Sequence, residues 1–504
     1  MKQLSKSKYA KYCQCPKCLW MSVNKPEEEV IDPTSEGRFE KGTEVGNLAK
    51  GILGDYVDVT TRKEDGSLDL LAMVRKTQEY MTSGAENVCE AAFSKDGNYC
   101  AVDILHRTND GYAIYEVKST SYPEFEGKPA KLSKFIPDIA YQKWVLEQCC
   151  VNVTGTFLIC LNSDYVRGQE LDMKRLFVVQ DVSDMIADEY ALVAERQSKA
   201  KELLYQDEEP EMDIWEGCKS PYDCGFFKYC SRHLPSPSVF DLYRMTFSKK
   251  LEYYRKGLIT YEDVKEEKMT PVRKIQVESC LANQPHIEPE KIRAFLDKLT
   301  YPLYFLDFES IQDVVPQYEG TKVYQQVCFQ YSLHIIEEEG GELLHKEHLG
   351  ISGTDTRRPL AEQLCNDIPM GACTLVYNKT FECSRLKEMA GWFPDLAEHL
   401  MDICNNIVDL LEPFQQGSYY LPSMGGSFSI KRVLPSLYPD DPSLDYHNLE
   451  GGVQNGNDAM TIFPKIQYMS PEEQNKTRNA LLEYCGLDTY AMVKVWESLK
   501  KVTM

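Results

Sequence analysis

The sequence predicts an α/β protein with an N-terminal domain, a short helical connector and a C-terminal domain. Three observations carry that expectation. Short β-type runs separated by turn signals fill the N-terminal part, a helical pattern lies between the last two of them, and a second apolar run of strand length opens after a stretch of helical spacing.

Taken in order, a helix is expected from Ser5 to Trp20. Val88–Phe93, Cys100–Leu105, Tyr112–Lys118 and Thr156–Leu161 read as strands, with turns at Asp96-Gly97 and Asp110-Gly111. Ile136 to Cys149 carries the intervening helical pattern. The run Leu234-Pro-Ser-Pro-Ser238 is a break, which sets the first domain at 1–235. Residues 236–297 alternate charged and apolar positions at helical spacing, as in Phe247 to Leu258 and Ile287 to Leu299, and form the connector. The second domain, 298–504, opens on Tyr301-Pro-Leu-Tyr-Phe-Leu-Asp307. No repeat of 20 to 50 residues is visible.

The chain has 504 residues, ample for more than one buried core. No window approaches the roughly 18 apolar residues of a membrane span, and the lysine-bearing start Met1 to Lys8 lacks an apolar signal core, so a cytoplasmic protein without a membrane partner is expected. In that reducing compartment the 18 cysteines are not disulfides. Cys149, Cys150, Cys160, Cys328 and Cys373 lie in apolar runs and read as small hydrophobes. Fifty-six basic against 78 acidic residues, a net charge of −22, argue against a broad basic face that coats duplex DNA. A carboxylate-built active site remains compatible with that balance, because bound divalent cations offset its charge.

Asp103 closes one expected strand, and Glu116 and Lys118 share a face of the next, so a hairpin through Asp110-Gly111 brings both carboxylates to one edge. Two carboxylates hold a hard cation by oxygen, and a nearby ammonium assists a water nucleophile. Downstream, Asp138-Ile-Ala-Tyr-Gln142 opens a helix facing that edge. The pattern Asp103, Glu116-X-Lys118 and Gln142 resembles the PD-(D/E)XK nuclease superfamily, in its RecB-like branch. That resemblance implies Asp103 and Glu116 as Mg²⁺ or Mn²⁺ ligands, Lys118 as the assistant to the nucleophile and Gln142 as a substrate-positioning residue. The first-helix histidine of that branch is missing, since the chain reads Gly42-Thr-Glu-Val-Gly46 with Gly46 at its position. Glu44 or Glu40 on that helix, or Glu90 in the preceding strand, are the alternatives.

Cys15, in Cys15-Pro-Lys-Cys-Leu-Trp20, stands far from Cys218, Cys224 and Cys230, which are six residues apart. Zinc sites favour paired Cys-x2-Cys knuckles, which Cys15 and Cys18 alone offer here. The wider spacing with one remote cysteine resembles the iron-sulfur RecB-like nucleases. It implies a 4Fe-4S cluster on Cys15, Cys218, Cys224 and Cys230, with Cys13 and Cys18 as substitutes for Cys15. Closing so long a loop gives such a cluster a structural role.

In the second domain, Asp307 and Glu309 point to one face of a strand. Asn378-Lys-Thr-Phe-Glu382, Ile407-Val-Asp409 and Tyr484-Cys-Gly-Leu-Asp488 follow, the last on a helix. Asp307-X-Glu309, Glu382 and Tyr484-X-X-X-Asp488 resemble the DnaQ-like, RNase H-fold DEDD exonucleases. The resemblance implies Asp307, Glu309, Glu382 and Asp488 as metal ligands and Tyr484 as the group that orients the attacking water, with Asp409 secondary. Glu382 replaces the usual aspartate and lengthens that ligand by one methylene. Lys431 and Arg432 are candidates for contact with a strand backbone.

The two halves together resemble a family of bacterial proteins that pair an iron-sulfur RecB-like domain with a DEDD-like domain long called one of unknown function. The implied activity is a metal-dependent DNA exonuclease acting on single-stranded ends, in repair, phage defence or mobile-element processing. Tyr115, Tyr141 and Trp144 are either base-stacking or core residues. The competing expectations are a non-catalytic nucleic-acid-binding scaffold and a zinc-binding regulatory protein.

Overall fold

From Leu158 to Leu161 every side chain is buried, Leu158 and Cys160 in one apolar cluster and Ile159 and Leu161 in another, so this strand lies at the centre of a layered structure. The computed structural model describes residues 3–31, 33–124, 127–449 and 451–504, the side chains of 33–40 excepted. The chain divides into two mixed α/β units, Met1–His233 with Val314–Tyr324, and Leu234–Asp313 with Gln325–Met504. The stretch 236–297 thus falls within the second unit.

In the first unit, α1 (Lys6–Gln14), α2 (Pro16–Asn24), α3 (Pro33–Ala49) and α4 (Leu70–Ser83) precede the strands β1 (Asn87–Lys95), β2 (Asn98–Arg107) and β3 (Tyr112–Tyr122). Then come α5 (Ile136–Gln148), β4 (Val153–Asn162), β5 (Phe177–Asp181) and α6 (Ala187–Leu204). Among the described residues the sheet runs in the order Val57–Asp58, β1, β2, β3, β4, β5, with Leu4–Ser5 laid parallel to the start of β2. The turn Asp96-Gly97, both residues at positive φ, joins β1 to β2 as a tight hairpin. β3 and β4 are parallel, and α5 is their crossover.

Two expectations need correction here. The helix expected from Ser5 to Trp20 is two helices, because Pro16 drives Cys15 into an extended conformation (φ −165°, ψ 123°) that ends α1 and opens α2. Asp103 lies inside a strand rather than at its end: β2 continues to Arg107, paired with β3 from Ile104 onward.

In the second unit a five-stranded sheet runs in the order Leu343–Leu349, Gln326–Ile336, β6 (Leu303–Gln312), Cys373–Val376, Ile407–Asp409. The first three are antiparallel, and the last two run parallel to β6. Along β6, Tyr304, Leu306 and Phe308 join the core that also holds Leu386, Met389 and Leu400. Phe305 points the other way, its ring 6.0 Å from Trp496 on α7 (Pro471–Lys501). Asp307 and Glu309 have the parity of Phe305, so strand alternation aims them at α7. That helix starts on a capping box, with Ser470 accepting from the Glu473 backbone and the Glu473 carboxylate accepting from Ser470. No described helix is long and apolar enough to cross a membrane.

Candidate functional site

Asp307, Glu309 and Asp488 place carboxylate oxygens within 4.8 Å of one another, the one group of three or more potential metal ligands that converges in this way among the described residues. β6 supplies two of them and α7 the third. Burial and the neighbouring charge of Asp488 push Asp307 and Glu309 well above the usual carboxylate range, and burial raises Asp488 as well. Oxygens around one Mg²⁺ at about 2.1 Å can lie no more than about 4.2 Å apart, so the triad is already near a ligating spacing. Glu382 is buried beside them; its Oε2 has no hydrogen-bond partner among the described residues, and burial pushes it up to about 8. Glu382 lies outside the convergence of Asp307, Glu309 and Asp488, but its charge raises both Asp307 and Glu309, and a buried carboxylate oxygen without a partner is costly to ionise.

The surroundings of this centre are polar and ordered. Tyr446 donates to Asp488 Oδ1 at 2.7 Å, and both the Tyr446 and the Tyr484 hydroxyls favour the charged form of that carboxylate against its burial. Lys431 Nζ sits 4.8 Å from the Tyr446 ring centre and 5.2 Å from that of Tyr484, and donates to the Gln454 carbonyl. Asp409 belongs elsewhere. Its carboxylate accepts the backbone N–H groups of Asn378, Lys379 and Leu411, and so caps the helix Lys379–Trp392 that carries Glu382.

The first unit gathers Asp103, Glu116, Lys118, Asp138 and Gln142 around one carboxylate. β2 and β3 stop pairing at Ile104–Tyr115, and one residue further Asp103 Oδ2 accepts the Val117 N–H at 2.7 Å in place of a ladder bond. Glu116 is buried and receives Lys118 Nζ at 2.8 Å and Gln142 Nε2 at 2.8 Å. Lys118 also reaches Asp138 at 3.0 Å. A residue with no sequence signal completes the set: Lys6, at the start of α1, donates to both Glu116 oxygens at 2.8 and 3.0 Å. Burial opposes the Glu116 charge, but Lys118 and Lys6 outweigh it and draw the group down to about 2. Burial and the Glu116 charge push Asp103 up to about 7. Glu90 stands nearby with a left-handed backbone (φ 56°) and lies 3.9 Å from Lys50. Glu44 is exposed on α3, and the side chain of Glu40 lies outside the described residues. Tyr141 is core, stacked on Tyr9 at 4.5 Å, and Tyr115 stacks on Phe157.

Cys15, Cys18, Cys218, Cys224 and Cys230 line one cavity, walled by Met21, Met212 and Phe226. Gln14 Nε2 ties the two distant segments together by donating to the Gly217 and Tyr222 carbonyls at 2.8 and 2.7 Å. Gly217 must lack a side chain, since a Cβ there would stand 2.3 Å from the Trp215 ring and 2.7 Å from the Gln14 carbonyl. The neighbouring Cys18 thiol holds Cys224 down to about 7, while burial pushes Cys218 up to about 11. Cys13 points away, toward Tyr9 and Arg196. No three of the five cavity sulfurs meet within 4.8 Å. Thiolates on one zinc ion, at a Zn–S distance of about 2.3 Å, would stand about 3.8 Å apart.

Residues 304–429 match the family model described as "Domain of unknown function (DUF2779)". That span holds Asp307, Glu309 and Glu382 and stops short of Tyr484 and Asp488. An "Uncharacterized protein UU173" of Ureaplasma parvum serovar 3 is 28% identical over 238 residues, 44% of this chain and 34% of its own length. An "Uncharacterized protein MG366 homolog" of Mycoplasma pneumoniae is 26% identical over 227 residues, 41% of this chain and 33% of its own length. The chain thus matches about a third of the length of these curated relatives.

Proposed function

We propose that this chain is a divalent-metal-dependent nuclease that acts on single-stranded DNA ends, with an RNase H-like DEDD centre in its second unit and a PD-(D/E)XK-like centre in its first. The observation that carries the reading is the convergence of Asp307, Glu309 and Asp488 beside the unpaired, buried Glu382 oxygen. Asp307, Glu309, Glu382 and Asp488 would hold Mg²⁺ or Mn²⁺. Such ions supply Lewis-acid activation of a phosphodiester and a more acidic water. The Tyr484 hydroxyl, kept protonated by burial, would orient the attacking water, and Lys431 would offset the charge of an entering phosphate. In the first unit Lys118 is held protonated by Glu116 and Asp138 against its burial, ready to stabilise negative charge developing on a phosphate.

Cys15, Cys218, Cys224 and Cys230 would hold a 4Fe-4S cluster with Cys18 beside it, since the donors are all thiols and stand wider than a zinc tetrahedron. Its role would be to bind α1 and α2 to the end of the first unit.

The test compares wild type with Lys118→Ala and Asp488→Ala on end-labelled single- and double-stranded DNA with Mg²⁺ or Mn²⁺. Each single variant is expected to lose part of the cleavage and the double variant all of it. No cleavage by wild type under any condition rejects the enzyme reading, and loss in Lys118→Ala alone makes the second unit a binding module. Anaerobic purification separates cluster from zinc: iron and acid-labile sulfide are expected, and a colourless zinc protein rejects the cluster.

A further inference from the structure

We propose that Lys6 is a built-in counter-ion of the Asp103–Glu116 centre that competes with a divalent cation for the Glu116 carboxylate, and so sets how tightly that centre takes metal. The proposal rests on the nuclease reading of this centre.

A carboxylate offers about four lone-pair directions. Glu116 spends them on four contacts: two from Lys6 Nζ at 2.8 and 3.0 Å, one from Lys118 at 2.8 Å and one from Gln142 at 2.8 Å. A cation that ligates Glu116 must therefore displace a donor. Gln142 is fully buried on α5, and Lys118 is also held by Asp138 and lies 5.3 Å from the Phe135 ring centre. Lys6 is the most exposed of the three, at 24% of its side chain, and it spans both Glu116 oxygens as a bidentate metal would. It is the donor that leaves.

The fold puts Lys6 there deliberately rather than leaving it a loose surface lysine. Leu4–Ser5 pairs with Asn98–Tyr99 of β2, Tyr141 donates to the Leu4 carbonyl at 2.7 Å, and Ser5 caps α1. Tyr9, one turn on, stacks against Tyr141, and Gln14 at the far end is pinned to the Gly217 segment. The charges facing Glu116 are then Lys6 and Lys118 against Asp103 and Asp138, with Glu90 further out. Two ammonium groups already balance most of this acid cluster, which is the condition under which a metal gains least by entering.

The experiment uses the full chain carrying Asp307→Asn and Asp488→Asn, which silence the triad of the second unit, and reads free Mn²⁺ by electron paramagnetic resonance. Lys6→Met is expected to bind Mn²⁺ at least about tenfold more tightly than this parent, and Lys6→Gln to do the same, because each removes a positive charge from the ligand. Lys6→Arg should stay within about twofold of the parent, since it keeps the charge. Adding Glu116→Gln to Lys6→Met should abolish the gain. If the parent binds Mn²⁺ and both Lys6→Met and Lys6→Gln bind it no more tightly, the proposal is overturned while the nuclease reading of this centre stands. If folded parent and variants all fail to bind Mn²⁺, that reading falls and the proposal with it.

Discussion

Replacing Glu382 by glutamine should stabilise the metal-free second unit, and the gain should grow with pH. Glu382 lies in the first turn of Lys379–Trp392, buried, with one oxygen unpaired among the described residues. Burial first, and then the charge of Asp409, push its carboxyl up to about 8 from an ordinary 4.5. Between those two values the folded protein binds a proton that the unfolded chain has lost, so stability falls as pH rises, by about 1.4 kcal/mol per unit. From pH 5 to pH 8 the integrated loss is about 3–4 kcal/mol, and glutamine removes it. Relief of Asp307 and Glu309 from the Glu382 charge acts in the same direction. Urea titrations with chelator at pH 5 and pH 8, read by hydrogen exchange of peptides covering 373–392, would isolate this unit from the other. A gain that is equal at both pH values, or larger at pH 5, would refute the assignment of Glu382 as a strained acid. Saturating Mg²⁺ should reverse the ranking, because the ion stabilises the carboxylate and not the amide.

Three further outcomes follow from the same geometry. Asp409→Ala should destabilise the second unit by about 1–3 kcal/mol in urea titrations, since three backbone N–H groups lose their acceptor. Mn²⁺ affinity of the Asp103–Glu116 centre, measured by calorimetry in the Asp307→Asn, Asp488→Asn chain, should rise about tenfold from pH 6 to pH 8, because a proton held on Asp103 up to about pH 7 must leave first. An affinity flat with pH would mean that Asp103 is not a ligand. Cys224→Ser should lose iron and sulfide on anaerobic purification and make the first unit more sensitive to proteolysis, by about 2–4 kcal/mol if closing the long loop behaves as a disulfide does; retained iron would remove Cys224 from the ligand set.

Much of the local structure was legible because it follows from short-range rules. The runs at Val88, Cys100, Tyr112 and Thr156 lie in β1, β2, β3 and β4, and the Asp-Gly turns link antiparallel strands. The period of two in a strand also put Glu116 with Lys118, and Asp307 with Glu309, on common faces. Gln142, expected to face Glu116 across the sheet edge, donates to it. The break at Cys15 has a local cause in Pro16, but helical spacing on both sides masks the restriction a proline places on the residue before it.

Sequence spacing therefore established which residue types could act and which of them share an element. Which of them meet depended on long-range packing, where side chains far apart along the chain are brought together by burial of apolar faces rather than by any local pattern. Lys6 reaches Glu116 because Leu4–Ser5 pairs with the sheet, and Tyr446 reaches Asp488 from a short 3-10 helix, Tyr446–Asn448, with no motif. Asp409 shows the converse, an acid in the right strand whose carboxylate is spent on capping a helix. Chemistry was written in the chain as an inventory of carboxylates, lysines and thiols; tertiary structure decided which carboxylate faces a lysine and which is left with an unpaired oxygen.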